Sequence, residues 1–252
     1  MKKTYTSILS LAGLMGSLLL TSCLGDSGSN KYYSDGIFSV VEDGSYSFFA
    51  DYGGLVQLSL QSASDLKKNG LKNGDRVYMA FQYNEEGFRD MPGKGKYIVD
   101  AEFVSGQKIP KQNILKLSEA ESAKIMDKDS LFTITSSENS FYLGAYRGYL
   151  TARYNGIFSV VSGKGILPTL NFVYDPAENV TPNELKLKMC YNRHSAKDTP
   201  SSTETFFATY PLSYIPIAGQ DSITITIEGL SKPRTLKIGR EDMMPGNYEY
   251  FK

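Results

Sequence analysis

Short apolar runs separated by turn residues recur along the chain from Gly36 onward, and several of them alternate apolar with polar side chains. The segment Leu185–Met189, in which apolar residues alternate with Lys186 and Lys188, shows the pattern most clearly. A period of two places alternate side chains on one face of a β-strand. The chain also contains 18 Tyr and 13 Phe, and aromatic residues fit the half-buried surface of a sheet. We therefore predict an all-β protein.

The first part of the chain, residues 32–108, contains five such runs. Turn sequences rich in Gly, Asp and Asn separate them, for example Lys72-Asn73-Gly74-Asp75. The predicted strands are Ile37–Val41, Tyr46–Ala50, Leu55–Leu60, Val77–Tyr83 and Tyr97–Val104. The side chains expected to share the inward face of the last strand are those of Tyr97, Val99, Ala101 and Phe103. Five short strands in a segment of this size are typical of an OB-like five-stranded barrel.

The alternation lapses over residues 109–130, which we predict to be a linker with a short helix. Ser118 and Glu121 have the spacing of a capping box at a helix N-terminus. Strand patterns then resume within residues 131–252, at Ser140–Leu143, Tyr149–Ile157, Leu167–Tyr174, Glu184–Tyr191, Phe206–Leu212, Ser222–Glu228 and Thr235–Ile238. Short strands of this number and spacing indicate an immunoglobulin-like β-sandwich.

The N-terminal segment has the layout of a secretory signal. Two lysines precede an apolar stretch over residues 8–20, which is too short for a comfortable transmembrane helix. The sequence Leu20-Thr21-Ser22-Cys23 that follows resembles a bacterial lipobox, in which a signal peptidase cuts just before a cysteine that carries acyl chains. We predict that residues 1–22 are a lipoprotein signal peptide.

Acylation of Cys23, for example with palmitate, would attach the protein to a membrane without any spanning helix. Residues 23–31 are small and polar, and we expect them to form a flexible tether. The sequence therefore predicts a bacterial cell-envelope protein held at the outer membrane, with the side of that membrane left open. The alternative is an ordinary signal peptide that leaves Cys23 as a free thiol.

Composition argues against several classes of function. The chain has 27 basic and 27 acidic residues, whereas binding to nucleic acid usually requires a basic surplus. Cys190 is the one cysteine besides Cys23, so acylation of Cys23 would exclude an intrachain disulfide. The single histidine, His194, lies in a polar stretch that we interpret as an exposed loop. Since the sequence shows no metal, nucleophile or phosphate-binding motif, we predict neither a metal nor a cofactor.

Tyrosines of the predicted barrel are the candidate binding residues. The strand face of an OB barrel commonly binds oligosaccharides, oligonucleotides or proteins, and flat rings stack on sugars or on the side chains of a partner. The candidates are Tyr46, Tyr78, Tyr83 and Tyr97. The alternative is that these rings belong to the barrel core.

Several segments resemble the NigD-like lipoproteins of Bacteroidetes. They are Tyr33–Val41 at the start of the barrel, Asn73–Val77 before its fourth strand, Gly148–Tyr154 at the start of the sandwich, and Leu185–Asn192 within it. The resemblance covers nearly all of the chain after Cys23 and implies an N-terminal OB domain followed by a β-sandwich. The family takes its name from a bacteriocin gene cluster, so the resemblance also implies a role in immunity.

These observations lead to one functional hypothesis and two alternatives. We expect a non-enzymatic envelope lipoprotein that binds a protein or a glycan through its β-surfaces. The first alternative is a bacteriocin immunity lipoprotein. The second is a carbohydrate-active enzyme that uses paired carboxylates such as Glu85 with Glu86 or Glu241 with Asp242, because glycosidases require only two acids at a suitable separation.

Overall fold

Strands dominate the computed structural model, as the sequence predicts. It describes residues 31–42, 46–51, 53–91, 95–126, 141–196, 199–215, 220–229 and 233–239. The signal peptide, Cys23 and nearly all of the tether lie outside the described residues. Within them, no helix is long and apolar enough to cross a membrane.

The first six strands form the predicted barrel. They are β1 (Lys31–Glu42), β2 (Tyr46–Ala50), β3 (Leu55–Leu58), β4 (Arg76–Asn84), β5 (Phe88–Met91) and β6 (Gly95–Lys108). Five of them close in the order β3-β2-β1-β4-β6, because β3 also pairs in parallel with β6. The additional strand β5 pairs with the edge of β6 that lies opposite β3. The OB-like five-stranded barrel is thus confirmed, with one strand appended that the sequence patterns did not predict.

The prediction that the third strand extends to Leu60 is wrong. The strand ends at Leu58, and a helix, α1 (Leu60–Lys68), follows it. The Ser59 hydroxyl caps the helix by accepting from the Ser62 amide at 3.4 Å, and Leu66 is buried in the barrel core. Leu60 extends the alternation of Val56 and Leu58 in the sequence, yet it is 89% exposed.

The predicted inward face of the last barrel strand is also wrong in part. Ile98 and Ala101 face the barrel core, whereas Tyr97 packs against a separate apolar cluster. The pairing with β3 shifts register over this segment, and Asp100 has φ of 55°. A bulge therefore reverses the alternation between Ile98 and Ala101, and Asp is among the non-glycine residues that best tolerate this conformation.

The predicted short helix is present in the connection between the domains. Helix α2 (Glu119–Ile125) is preceded by the N-cap residue Ser118, whose amide donates to Glu121 Oε2 at 2.9 Å in a complete capping box. A two-residue strand, β7 (Leu115–Lys116), precedes the helix and pairs in parallel with a strand of the second domain. The connection is thus built into the second domain.

The second domain is a β-sandwich. Its strands are β8 (Phe141–Tyr146), β9 (Tyr149–Val161), β10 (Lys164–Ile166), β11 (Thr169–Tyr174), β12 (Glu184–Asn192), β13 (Ser201–Pro211), β14 (Ser222–Glu228) and β15 (Arg234–Gly239). One sheet pairs β13 with β9, whose other edge carries β8 and β10. The second sheet has the order β15-β14-β12-β11-β7.

Apolar side chains from both sheets fill the space between them. The largest fully buried ones include Tyr191, Tyr210, Phe172 and Leu150. The Tyr210 hydroxyl donates to the Leu170 carbonyl, and the Tyr191 hydroxyl accepts from the Ile157 amide at 2.7 Å. The hydroxyl groups of these two buried tyrosines are thus hydrogen-bonded, as burial requires.

Candidate functional site

The outer surface of the barrel packs against the outer face of the β8-β9-β13 sheet. Ser39 of β1 lies opposite Arg76 of β4 in the barrel register, and Thr151 of β9 lies opposite Thr209 of β13 in the sandwich register. Residues opposite each other in a ladder share one face of their sheet. The two pairs meet because Arg76 donates a hydrogen bond to Thr151.

A buried group of polar side chains, which we call the junction cluster, connects the two domains. It comprises Ser39, Asp51, Arg76, Thr151 and Thr209. One amino group of Arg76 donates to Asp51 Oδ1 at 2.6 Å and to Ser39 Oγ at 2.7 Å. The other donates to Asp51 Oδ2 and, at 3.2 Å, to Thr151 Oγ1, which lies 3.0 Å from Thr209 Oγ1. One arginine thus holds side chains from both domains.

The charges of the junction cluster are shielded from water. Arg76 is 0% exposed, and the Tyr149 ring centroid lies 5.3 Å from its guanidinium carbon. Burial raises the pKa of Asp51, and the hydrogen bonds and charge of Arg76 oppose that effect. Within the described chain, the Arg76 Nε–H has no hydrogen-bond acceptor. Since no ligand can reach these groups, the cluster serves to position the domains.

Beside the cluster lies a more exposed set of side chains, which we call the junction patch. Its members are Tyr33, Asp35 and Tyr78 of the barrel and Tyr142, Arg153 and Phe207 of the sandwich. The Tyr78 ring stacks on Phe207 with centroids 4.9 Å apart and 23° between the ring planes. The Tyr78 hydroxyl donates to the Asp35 carboxylate. The base of the patch thus also joins the domains.

The other members of the junction patch are open to solvent. Tyr33 is 65% exposed and Tyr142 is 42% exposed. Arg153 is exposed and is the cross-strand partner of both Tyr142 and Phe207. Tyr142, Arg153 and Phe207 therefore form one row across β8, β9 and β13. The patch offers accessible rings with a carboxylate and a guanidinium beside them.

Gly144 leaves room for Tyr142 to lie along the sheet. A Cβ atom at Gly144 would overlap the Tyr142 hydroxyl and would lie 2.6 Å from Cε2 of Tyr146. The two tyrosine side chains are hydrogen-bonded to each other, and burial together with Tyr146 raises the pKa of Tyr142. The absence of a side chain at Gly144 therefore permits this orientation of one ring of the patch.

Tyr78 remains a hydrogen-bond donor throughout the physiological pH range. Burial and the neighbouring Asp35 raise the pKa of Tyr78 to about 12. Both causes disfavour the phenolate, because it would lose hydration and would lie beside a carboxylate. Arg153 acts in the opposite direction and Tyr33 adds to the increase, which also shows that both residues lie near the Tyr78 hydroxyl.

The chemistry available at the junction patch is recognition. Flat rings provide stacking surfaces, and the carboxylate and guanidinium provide an acceptor and planar donors. The patch contains neither a thiol nor an imidazole. Within the described residues, no group of three His, Cys, Asp or Glu side chains is arranged to hold a metal ion.

The structure separates three of the four tyrosines that the sequence suggests for binding. Tyr78 lies in the junction patch. Tyr83 lies at one end of the barrel, stacked on Tyr32 with centroids 5.7 Å apart. The Tyr97 hydroxyl donates to Gln57 Oε1 at 2.8 Å on another part of the barrel. Tyr46 belongs to β2, and its side chain lies outside the described atoms, so the described three do not form one surface.

Sequence patterns missed the sandwich half of the junction patch. Phe207 occupies a position between Thr205 and Thr209 on the outward face of β13. An aromatic residue within the polar face of a strand is a signal that this face is covered. Arg153 lies on the outward face of β9 in the same way, although a lone arginine on a strand has no such implication.

The remaining sequence candidates lie apart from the patch. His194 is exposed, and its Nε2 lies 2.8 Å from Thr169 Oγ1. Glu85 and Glu86 are exposed in a 3-10 turn, while Glu241 and Asp242 lie outside the described residues. A groove beside α2 is lined by both lysines and acidic residues. Its volume of about 140 Å³ is smaller than that of pockets that enclose small molecules.

The fold is similar to that of several solved proteins from Bacteroidetes. A protein of unknown function (DUF1344) from Bacteroides vulgatus is 15% identical, has a TM-score of 0.54, and is aligned over 85% of this chain and 95% of its own. A protein from Parabacteroides distasonis described as toxin related is 16% identical with a TM-score of 0.54, over 84% and 96% of the two chains. Both similarities concern the fold alone.

A NigD-like immunity protein from Bacteroides caccae is also among the similar structures. It is 15% identical with a TM-score of 0.45, over 83% of this chain and 93% of its own. The barrel and the sandwich that the resemblance of the sequence to NigD-like lipoproteins implies are both present. No protein-family model and no curated protein matches the chain.

Proposed function

We propose that this protein is a non-enzymatic binding module of the bacterial envelope that holds its ligand at the junction patch. The observation that carries the proposal is the placement of two exposed tyrosines, Tyr33 and Tyr142, on either side of a domain junction at which the buried Arg76 of the barrel donates to Thr151 of the sandwich. Rings held in a rigid arrangement lose little conformational entropy when they bind. Such a surface binds a ligand without any catalytic group.

The chemistry of the patch favours a glycan as the ligand. Sugar rings stack on aromatic faces, and their hydroxyls pair with side chains that accept and donate hydrogen bonds, here Asp35 and Arg153. An extended polyanion fits less well, since the patch carries one carboxylate and one guanidinium, which balance each other. A protein loop with polar side chains is the other ligand with matching chemistry.

The proposal includes attachment to the outer membrane through Cys23. Support comes from the lipobox-like sequence and from the distance along the chain, because the barrel begins at Lys31, shortly after Cys23. Metabolic labelling with a palmitate analogue tests this part separately. The intact chain should incorporate the label, and the Cys23→Ala variant should not; equal labelling of both would exclude acylation at this residue.

Photo-crosslinking in living cells tests the binding surface. A benzophenone amino acid replaces Tyr33 or Tyr142 in turn, and in a control chain it replaces Lys237, which is exposed on β15 at the edge of the other sheet. We expect discrete adducts from the two patch positions and none from the control. Adducts of equal yield from all three positions, or from none, would contradict the proposal.

Binding to a glycan panel then identifies the ligand class. The intact protein should retain one group of glycans, and the Tyr33→Ala and Tyr142→Ala variants should lose them while keeping the same thermal stability. If no glycan binds but a discrete protein is crosslinked at the patch, the ligand is a protein. Bacteriocin immunity is then the function to test, by measuring survival of a deletion strain exposed to bacteriocins.

A further inference from the structure

We infer that two copies of this chain pair edge to edge through strand β13, with Thr203 of each copy on the two-fold axis. The inference is independent of the proposed ligand site. It begins from the topology of the smaller sandwich sheet, in which β13 is the terminal strand. Within the described part of the chain, no strand pairs with the outer edge of β13 between Ser201 and Phe207.

This edge lacks the devices that usually keep edge strands apart. Proteins blunt exposed edges with lysines, prolines or bulges. The segment from Ser201 to Phe207 contains no lysine and no proline, and Glu204 is its single charged residue. Its pairing with β9 runs without a register shift from Ser201 to Pro211. Among the described residues, the edge is therefore long, regular and open to another strand.

The same edge already accepts an extended segment at its other end. The Thr209 amide donates to the Pro110 carbonyl at 3.0 Å, and the Gln112 amide donates to the Thr209 carbonyl at 2.8 Å. Chain from the interdomain connection thus occupies the edge at Thr209. Pairing along Ser201–Thr205 would continue an arrangement that the fold uses already.

The contacts of Thr209 also establish which backbone groups point outward. Peptide groups alternate in direction along a strand, so residues separated by two share the direction of their N–H and C=O groups. Because both groups of Thr209 point away from β9, those of Ser201, Thr203 and Thr205 do so as well. The Pro200 carbonyl accepts from Val160 of β9 at 3.1 Å, which agrees with this alternation.

These directions select a self-complementary register. With Thr203 on a two-fold axis, the two Thr203 residues exchange both backbone hydrogen bonds, and Ser201 of each copy does so with Thr205 of the other. The same register places Glu204 opposite Ser202 of the other copy. A register centred on Glu204 would instead pair Thr203 with Thr205 of the other copy and would bring two carboxylates opposite each other, which is unfavourable.

Site-directed disulfide formation tests this register in the full-length chain carrying Cys23→Ala, whose remaining native thiol, Cys190, is buried. Paired Cα atoms in such a position lie about 5.5 Å apart, which suits a disulfide. We expect Thr203→Cys to form a covalent dimer under mild oxidation. In the matched control, Thr205→Cys, the two cysteines would lie more than about 13 Å apart along the strands and should remain reduced.

Light scattering on the chain without added cysteines provides a second measurement. We expect a concentration-dependent dimer, and we expect Thr203→Lys to be monomeric because it places like charges opposite each other on the axis. Disulfides of equal yield at positions 203 and 205, a monomer at every concentration, or an unchanged dimer in Thr203→Lys would each overturn the inference.

Discussion

Tyr78 of the barrel and Phe207 of the sandwich stack face to face across the domain junction, with ring centroids 4.9 Å apart. The two residues are far apart in sequence, so the contact forms only when both domains are folded and docked. The hydrogen bond from the buried Arg76 of the barrel to Thr151 of the sandwich is a second contact across the same junction. The candidate binding surface depends on that interface, because its exposed rings come from both domains.

A double-mutant cycle on this ring pair should reveal coupling between the domains. We expect Tyr78→Ala and Phe207→Ala to be less than additive, with a coupling free energy of about 0.5–1.5 kcal/mol, as for other aromatic pairs. Urea denaturation of the four proteins provides the measurement. Phe207→Leu is the control, since it keeps an apolar contact but loses ring stacking. Strict additivity would show that the rings do not interact in solution.

Replacing Arg76 should destabilise the protein more than removing the whole ion pair. Arg76→Met leaves Asp51 as a buried carboxylate without its partner, a change that typically costs about 3–5 kcal/mol. The double variant Arg76→Met, Asp51→Leu removes both charges and should recover most of that loss. Denaturant midpoints of the unmodified protein, the single variant and the double variant provide the measurement. Equal losses in the single and double variants would mean that packing, not charge, dominates at this position.

Much of the barrel follows from local sequence. The alternation of Val77, Met79 and Phe81 predicts the inward face of β4, and all three are buried in the barrel core. The Ser118 and Glu121 spacing predicts the capped helix α2 in the same way. These two predictions succeed because the residues that determine each feature lie close together in the sequence.

Burial does not follow from local sequence when the environment is set by distant residues. The hexapeptide Gly-Ile-Phe-Ser-Val-Val occurs twice, in β1 and in β9. Val40 in the first copy is fully buried in the barrel core, whereas Val160 in the second is 44% exposed. Identical segments thus differ because the sheets packed against them differ. The bulge at Asp100 could not be predicted from the sequence for a similar reason, since it is defined by the pairing with neighbouring strands.

The candidate site was predictable only in part. Tyr78 was among the residues suggested by composition and strand position, but nothing near it in sequence indicates its contact with Phe207. The junction patch collects side chains from β1, β4, β8, β9 and β13. Their meeting depends on how two domains dock, and single-strand periodicity carries no information about docking.

A methyl group at Gly144 should disturb the junction patch. Gly144→Ala places a Cβ against the side chains of Tyr142 and Tyr146, and forcing a side chain into an occupied space typically costs about 1–3 kcal/mol. Gly239→Ala is the matched control, because its Cβ would meet no atom within 4 Å. Thermal unfolding should separate the two variants, with the lower midpoint in Gly144→Ala. Equal stabilities would show that the two tyrosines move aside freely.

The protein should lose stability at alkaline pH because a buried thiol and buried phenols keep their protons in the folded state. Burial raises the pKa of the Cys190 thiol above its ordinary value of 9.0, with partial opposition from Lys188. Burial likewise raises the pKa values of Tyr154 and Tyr210 above their ordinary 10.0. The unfolded chain releases these protons first, so above about pH 9 it binds fewer protons than the folded protein, and the free energy of unfolding falls.

The thiol and the tyrosines can be separated by one substitution. Cys190→Ala should delay the alkaline loss of stability from about pH 9 to about pH 10, where the tyrosines begin to contribute. Urea midpoints between neutral and strongly alkaline pH provide the comparison. In the chain carrying Cys23→Ala, a thiol reagent should label Cys190 in urea and leave it unlabelled in the native protein at pH 8. Rapid labelling of the native protein, or stability that stays constant into strong alkali, would mean that water reaches this part of the sandwich.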